Sequence, residues 1–127
     1  MANSYLQFSS ILAFPQEKKD QVKAIVDTFV ENEDDDCSDV NSLTFEFEDG
    51  ELYIYAEEHG DIDTVIAVVQ KIQDALILDT PFVLEYAMTC SKPRPGEFGG
   101  GAVIVRCGRD PVYMDTGTWI IAELSKP

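Results

Sequence analysis

Two runs of alternating polar and apolar residues flank an Asp49-Gly50 dipeptide, and no other part of the chain constrains the fold as strongly. An Asp-Gly pair in this position predicts a β-hairpin with a two-residue type I′ turn, whose central residues both need positive φ. A two-residue loop then sets six pairs opposite one another: Glu48/Glu51, Phe47/Leu52, Glu46/Tyr53, Phe45/Ile54, Thr44/Tyr55 and Leu43/Ala56. A slip of one residue would bury the glutamates, so this register is well determined.

Side chains alternate along a strand, and this sorts the hairpin into an inward and an outward face. The inward positions are all apolar: Leu43, Phe45, Phe47, Leu52, Ile54 and Ala56. The outward positions are mostly carboxylates and tyrosines: Thr44, Glu46, Glu48, Glu51, Tyr53, Tyr55 and Glu57. Charges of this kind protect an edge strand from aggregation. Tyrosine is also enriched at protein interfaces. Two interpretations of the outward face therefore stand side by side, a solvated face and a protein-binding surface.

The segments outside the hairpin complete an α+β pattern. Alternation or a 3.6-residue period predicts strands at 5–14, 82–90 and 102–107 and helices at 15–30, about 61–77 and 114–124. Asp61 or Asp63 is the expected N-cap of the second helix, and Asp115 that of the last. The order β-α-β-β-α-β-β-α favours an antiparallel sheet of about five strands with two helices on one face and a short C-terminal helix.

The 127 residues fit a single acidic α+β domain, 1–127, with one core. The hairpin's inward face and the apolar stripe of the second helix indicate which residues fill that core. We expect the following to be substantially buried: Phe45, Phe47, Leu52, Ile54, Val65, Val69, Ile72, Leu84 and Trp119.

Acidic residues are concentrated in one stretch of the chain. The composition has 24 Asp and Glu against 9 Lys and Arg, a formal net charge of −15. Between Lys23 and Lys71 there are 15 acids and no Lys or Arg, so this interval supplies the whole excess. Such a field repels nucleic acids and anionic membranes and attracts basic partners. No apolar run approaches the roughly 20 residues of a membrane span, and residues 1–10 predict no signal peptide.

Residues suited to catalysis or metal binding do not occur in productive patterns. His59 is the only histidine, and we expect it in a solvated loop. Asp34, Asp35, Asp36 and Asp39 lack the glycine and glutamate spacing of an EF-hand. No serine lies in a G-x-S-x-G elbow. The sequence therefore predicts a protein that is not an enzyme and has no cofactor or dedicated metal site.

The cysteines and the glycine run are expected to be structural. Cys37, Cys90 and Cys107 lack C-x-x-C spacing, and an odd number of cysteines is typical of reduced thiols in a cytoplasmic protein. Cys90 and Cys107 are expected as neighbours on paired strands. The glycines at 99–101 precede a strand instead of a helix, which argues against a phosphate cradle and favours close backbone approach.

A loop is predicted at residues 91–101, within the segment Cys-Ser-Lys-Pro-Arg-Pro-Gly-Glu-Phe-Gly-Gly-Gly-Ala that starts at Cys90. Prolines stiffen it, and Glu97 is placed to pair with Lys92 or Arg94. This segment, with the helix before it and the apolar strand after it, resembles a family of small acidic proteins encoded by bacteria, plasmids and phages. The family pattern has Cys-Ser-Lys-Pro-Arg-x-Gly-Glu-Phe-Gly-Gly-Gly-Ala, and no known activity comes with it.

Two functional hypotheses follow. In the first, carboxylates on a folded scaffold stand in for phosphates, so that a DNA mimic occupies a basic nucleic-acid-binding surface of a host protein. In size and charge the chain resembles phage-type inhibitors such as anti-CRISPR and antirestriction proteins, which would act in the host cytoplasm. The expected partner-binding residues are Glu46, Glu48, Glu51, Tyr53, Tyr55, Glu57, Asp34, Asp35, Asp36, Asp61 and Asp63.

In the second hypothesis the chain is a small regulatory or interaction module of a bacterial or plasmid genome, and its acidity serves solubility. Its binding site for a peptide or small ligand would then be the loop, through Lys92, Arg94, Glu97 and Phe98. Separate substitution of the hairpin face and of the loop distinguishes the two hypotheses.

Overall fold

An antiparallel six-stranded sheet carries two helices on one face in the computed structural model, which describes residues 4–31 and 43–127. The elements in chain order are β1 (Ser4–Ala13), a 3-10 turn (Gln16–Lys18), α1 (Lys19–Glu31), β2 (Thr44–Glu48), β3 (Glu51–Ala56), α2 (Ile62–Leu76), β4 (Phe82–Cys90), β5 (Gly99–Val105), β6 (Val112–Asp115) and α3 (Thr116–Leu124). The strand order is β2-β3-β1-β4-β5-β6. The predicted α+β class is confirmed, with one strand more than expected in the described part of the chain.

The hairpin of β2 and β3 has the predicted register, from Thr44 opposite Tyr55 to Glu48 opposite Glu51. Its turn is not the predicted type I′, because Gly50 has a φ of +73° whereas Asp49 has no positive φ. Tertiary hydrogen bonds hold this turn. The Phe14 N–H donates to the Gly50 carbonyl at 2.9 Å, and the Gly50 N–H donates to the Gln16 side chain. These contacts from the end of β1 override the local turn preference.

The core lies between the sheet and the helices α1 and α2. Six of the predicted core residues are fully buried: Leu52, Ile54, Val65, Val69, Ile72 and Leu84. Phe45 and Phe47 are only partly buried, because β2 is an edge strand with a neighbour on one side. The prediction for Trp119 is wrong, since α3 lies beside β5 and β6 outside this core and leaves the indole exposed.

The glycine run belongs to β5 and is not part of the predicted loop at 91–101. A Cβ atom at Gly101 would collide with the Met114 carbonyl oxygen and lie 2.6 Å from the Tyr86 hydroxyl. A strand that is crowded by its neighbours on both sides therefore needs glycine here, which confirms the expected close backbone approach. β6, which β5 pairs with, is the strand that the sequence did not predict.

Aspartates begin both helices for which a cap was predicted. The Asp63 N–H donates to Asp61 Oδ1 at 3.1 Å, and the Thr118 N–H donates to Asp115 Oδ1 at 2.7 Å. The latter bond, with a second one from the Thr118 hydroxyl, lowers the pKa of Asp115. In the described segments no helix combines the length and apolar character needed to cross a membrane.

Candidate protein-binding surface

The outward face of the hairpin lies at one edge of the sheet, on the side away from α1 and α2. On β2 the side chains of Glu46 and Glu48 are exposed. On β3 the side chains of Glu51, Tyr53 and Tyr55 are half-buried, because β1 flanks β3 on its other side. We call Glu46, Glu48, Glu51, Tyr53, Tyr55 and Glu57 the acidic hairpin face.

Tyr55 joins the carboxylates at one end of this face. Its hydroxyl donates a hydrogen bond to Glu46 Oε1 at 2.9 Å. That bond is the largest of the causes that raise the pKa of Tyr55 above 10.0. Partial burial and the charges of Glu46 and Glu57 raise it further. The ring and the two carboxylates thus form one cluster, in which the phenol stays protonated and orients the Glu46 carboxylate.

Tyr53 occupies the equivalent position near the turn. The charge of Glu51, then partial burial and the charge of Glu48, raise the pKa of Tyr53 above 10.0. Glu48 and Glu51 are directly opposed across the hairpin, so two carboxylates and one ring share this end. The acidic hairpin face therefore consists of two similar clusters, each with a tyrosine between two glutamates.

A shallow, open groove of about 590 Å³ lies where the Tyr55 cluster adjoins β1, with Ser9 directly opposite Tyr55 in the sheet. One wall carries Glu46, Tyr55 and Glu57, and the other carries Gln7 and Ser9 of β1. The Gln7 side-chain amide donates to the Glu57 carbonyl at 2.8 Å and ties the two walls together. The sequence had not indicated that Gln7 and Ser9 belong to this surface, since nothing local shows that β1 lies beside β3.

Two other predicted partner-binding acids, Asp61 and Asp63, do not extend the face. Asp61 and Asp63 lie at the start of α2, in the helical layer on the opposite side of the sheet. The Asp61 carboxylate is occupied by the Asp63 N–H and by the Thr64 hydroxyl, the latter at 2.7 Å. Asp34, Asp35 and Asp36 lie outside the described residues.

The loop between β4 and β5 forms an exposed turn. The Arg94 N–H donates to the Lys92 carbonyl at 2.8 Å, and Phe98 is exposed. The predicted pairing of Glu97 with a nearby cation is wrong, because its carboxylate accepts from the Ser4 hydroxyl at 2.9 Å. Among residues 4–31 and 43–127 neither loop cation forms an ion pair, the one pair there being Glu123 with Lys126.

Cys90 and Cys107 are free thiols and do not lie together. The antiparallel register places Phe82 opposite Val105, so Cys107 follows one end of the strand pair while Cys90 ends β4 at the other. The prediction that they are neighbours is therefore wrong. Burial and the charge of Asp74 raise the pKa of Cys107, and Cys37 lies outside the described residues.

His59 stacks on Tyr5, with ring centroids 6.2 Å apart and planes 14° from parallel. In the part of the chain that the structure covers, no three His, Cys, Asp or Glu side chains come together as possible metal ligands.

Comparisons with models of protein families, with curated proteins and with solved structures give no match. The acidic hairpin face is therefore the strongest candidate functional surface among the described residues.

Proposed function

We propose that this protein is a non-enzymatic inhibitor, similar in action to anti-CRISPR or antirestriction proteins, that occupies a basic nucleic-acid-binding surface of a host protein in the cytoplasm. The observation that carries the proposal is the acidic hairpin face. It presents four glutamates and two tyrosines on one side of a hairpin, and no Lys or Arg occurs between residues 23 and 71 to neutralise them.

A folded hairpin gives these carboxylates fixed spacings. Same-face residues along a strand are about 6.6 Å apart, and directly opposed residues have Cβ atoms about 5 Å apart. A basic cleft that binds a phosphate backbone meets a similar series of regularly spaced negative charges. Because the strands are already ordered, less conformational entropy is lost on binding than with a flexible acidic tail.

The tyrosines supply contacts that charge alone does not. Each ring is half-buried against its own sheet, so its orientation is fixed before a partner arrives. Rigid aromatic side chains lose little rotamer freedom at an interface, and their hydroxyl oxygens can still accept hydrogen bonds from lysine, arginine and backbone N–H groups. The proposal thus combines long-range attraction by the glutamates with short-range contacts by Tyr53 and Tyr55.

The test is affinity capture from a bacterial lysate with the intact protein as bait, at about 50 and about 300 mM NaCl. We expect the captured protein to be basic, to be released by the higher salt, and to be displaced by added duplex DNA or RNA. The bait itself should not bind either nucleic acid.

Two variants locate the binding surface. The triple variant Glu46→Gln, Glu48→Gln and Glu51→Gln removes charge and keeps shape, and it should lose the partner. The control variant, Lys92→Ala with Arg94→Ala, changes the exposed loop and should still bind the partner. If only the loop variant loses the partner, the inhibitor proposal is wrong and the loop is the binding site, as the second sequence hypothesis states.

A further inference from the structure

The last two elements of the chain carry apolar side chains that the rest of the molecule leaves uncovered. β6 is the terminal strand of the sheet, and no residue of α3 is buried. The exposed apolar side chains here, which we call the β6–α3 surface, are Val112, Tyr113, Met114, Trp119, Ile120, Ile121 and Leu124. Isolated exposed apolar residues are ordinary, but seven of them among residues 112–124, at one edge of the sheet, are concentrated enough to indicate an interaction site.

The helix α3 needs such an interaction. It has nine residues, and helices shorter than about 12 residues are marginal in water without tertiary packing. Its large side chains are among the most exposed in the described chain, at 59% for Trp119, 68% for Ile121 and 80% for Leu124. A second molecule that covers them would supply the packing that one chain does not.

Charge favours a second copy as that molecule. Residues 99–127 contain three acids and three bases and are therefore neutral. The acidic hairpin face lies at the β2 edge, the opposite edge of the sheet from β6. Two copies can meet at their neutral ends with their acidic ends far apart. A basic partner would be drawn to the β2 edge, and an anionic membrane or nucleic acid would be repelled by a charge of −15.

The area is also sufficient. Aromatic side chains carry on the order of 150–250 Å² each and aliphatic ones somewhat less, so the seven together, about half to four-fifths exposed, present on the order of 800 Å². Because neighbouring side chains of β6 point to opposite faces of the sheet, this area wraps around the edge, and a partner that embraces the edge would cover about what each side contributes to an interface of standard size. In addition, the free edge of β6 offers unpaired backbone groups to a neighbouring strand.

We propose that the protein is a homodimer in which the β6–α3 surfaces of two copies pack against each other about a two-fold axis. The interface is isologous, because one patch serves both copies. Each dimer then displays two acidic hairpin faces pointing away from each other. This inference does not depend on what those faces bind.

Light scattering after size-exclusion chromatography measures the mass of the protein in solution. Trp119 is the only tryptophan in the sequence, so the fluorescence emission of the protein reports on this part of the β6–α3 surface. We expect a mass of about 28 kDa, twice the 14.2 kDa of one chain, and an indole emission that shifts to the red when the protein is diluted to dissociation. Added salt should leave the dimer intact or strengthen it. A mass of one chain at about 100 µM protein would overturn the proposal.

Matched variants test the location. Ile121→Lys should raise the dimer dissociation constant at least about 30-fold, the effect of losing a central apolar contact. Ile77→Lys changes an isoleucine that is at least as exposed, at 78% against 68% for Ile121, but it follows α2 and lies outside the β6–α3 surface, so it should leave the dimer unchanged. Both variants should keep the far-ultraviolet circular dichroism of the folded protein.

Two results would contradict the proposal. One is a dimer that persists in Ile121→Lys, since the interface would then lie elsewhere. The other is a chain that stays monomeric while its indole emission shifts to the blue on addition of phosphatidylglycerol vesicles, because a lipid surface would then be what covers α3.

Discussion

At the scale of single residues, Ile77 adopts a conformation that its side chain disfavours. It ends α2 in the left-handed region with a φ of +52°, and its N–H and that of Leu78 both donate to the Gln73 carbonyl. A β-branched residue costs about 1–2 kcal/mol in this region, where glycine is usual. The side chain is exposed, so nothing in the core requires it.

We therefore predict that Ile77→Gly increases the free energy of unfolding by about 1 kcal/mol. Chemical denaturation at neutral pH measures this change. The control is Ile77→Val, which keeps branching at Cβ and should give no increase. A loss of stability in Ile77→Gly would mean that the left-handed cap is not strained.

Gly101 shows the opposite case, a residue that cannot be replaced. A side chain there would meet the backbone of β6 on one side and the Tyr86 ring on the other. We predict that Gly101→Ala lowers the free energy of unfolding by about 2–3 kcal/mol, since β5 and β6 must separate to admit a methyl group. Gly117→Ala, in α3 with only an ordinary contact at 3.4 Å, should be neutral or slightly stabilising.

At the scale of elements, the acidic hairpin should respond to alkaline pH. The pKa of Tyr53 is raised in the folded state by the charge of Glu51, by partial burial and by the charge of Glu48. The pKa of Tyr55 is raised by its hydrogen bond to Glu46, by partial burial and by the charges of Glu46 and Glu57. A raised folded pKa means that the native state holds these protons more tightly than the unfolded chain. Their contribution to stability is complete below pH 10 and is lost as pH rises through the folded pKa values.

Absorbance at the phenolate band and thermal unfolding, both followed from about pH 9 to about pH 12, test this expectation. The double variant Tyr53→Phe and Tyr55→Phe should lose less stability over this range than the natural chain. Two other groups with raised pKa values remain in both proteins and contribute to the residual loss. The pKa of Tyr86 is raised by burial and by the charge of Asp115, and that of Cys107 by burial and by the charge of Asp74. Equal losses would show that the hairpin tyrosines are not coupled to their glutamates.

Local patterns predicted some elements fully and others not at all. Alternation and the Asp-Gly turn determined the hairpin register, because a shift would move every side chain to the wrong face. The turn type was wrong because Phe14 and Gln16, more than 30 residues earlier, bind it. β6 was missed because its four residues, Val112–Asp115, show no alternation of polar and apolar residue types and therefore give no strand signal.

The candidate site, like the fold, was predicted from the sequence only in part. The outward residues of the hairpin followed from period two alone, and the structure brings them together as expected. Gln7 and Ser9 could not be found, because a wall from β1 depends on strand order and strand order depends on the whole sheet. Trp119 was placed in the core because apolar helical residues are usually buried, whereas here the helix lies beside β5 and β6, outside the core.

At the scale of the whole molecule, the two proposed surfaces lie at opposite edges of one sheet. Among the described residues, the acidic hairpin face lies at the β2 edge and the exposed apolar area of β6 and α3 lies at the other edge, with the core between them. This separation lets a strongly acidic chain associate with itself without bringing its charges together. It also leaves both acidic hairpin faces of a dimer free for a basic partner.

The kinetics of partner binding should separate the two kinds of residue on the acidic hairpin face. Glutamates act through a long-range field, so Glu46→Gln with Glu48→Gln should lower the association rate about tenfold at low salt and change dissociation little. Tyrosines act at contact distance, so Tyr53→Ala with Tyr55→Ala should mainly speed dissociation. Surface plasmon resonance with the captured partner measures both rates.

Screening shortens the range of charge interactions as salt rises from about 50 to about 200 mM. The glutamate effect should therefore shrink over that interval while the tyrosine effect remains. A glutamate effect confined to dissociation and insensitive to salt would mean that these carboxylates bind through local contacts and do not act as a mimic of a phosphate backbone.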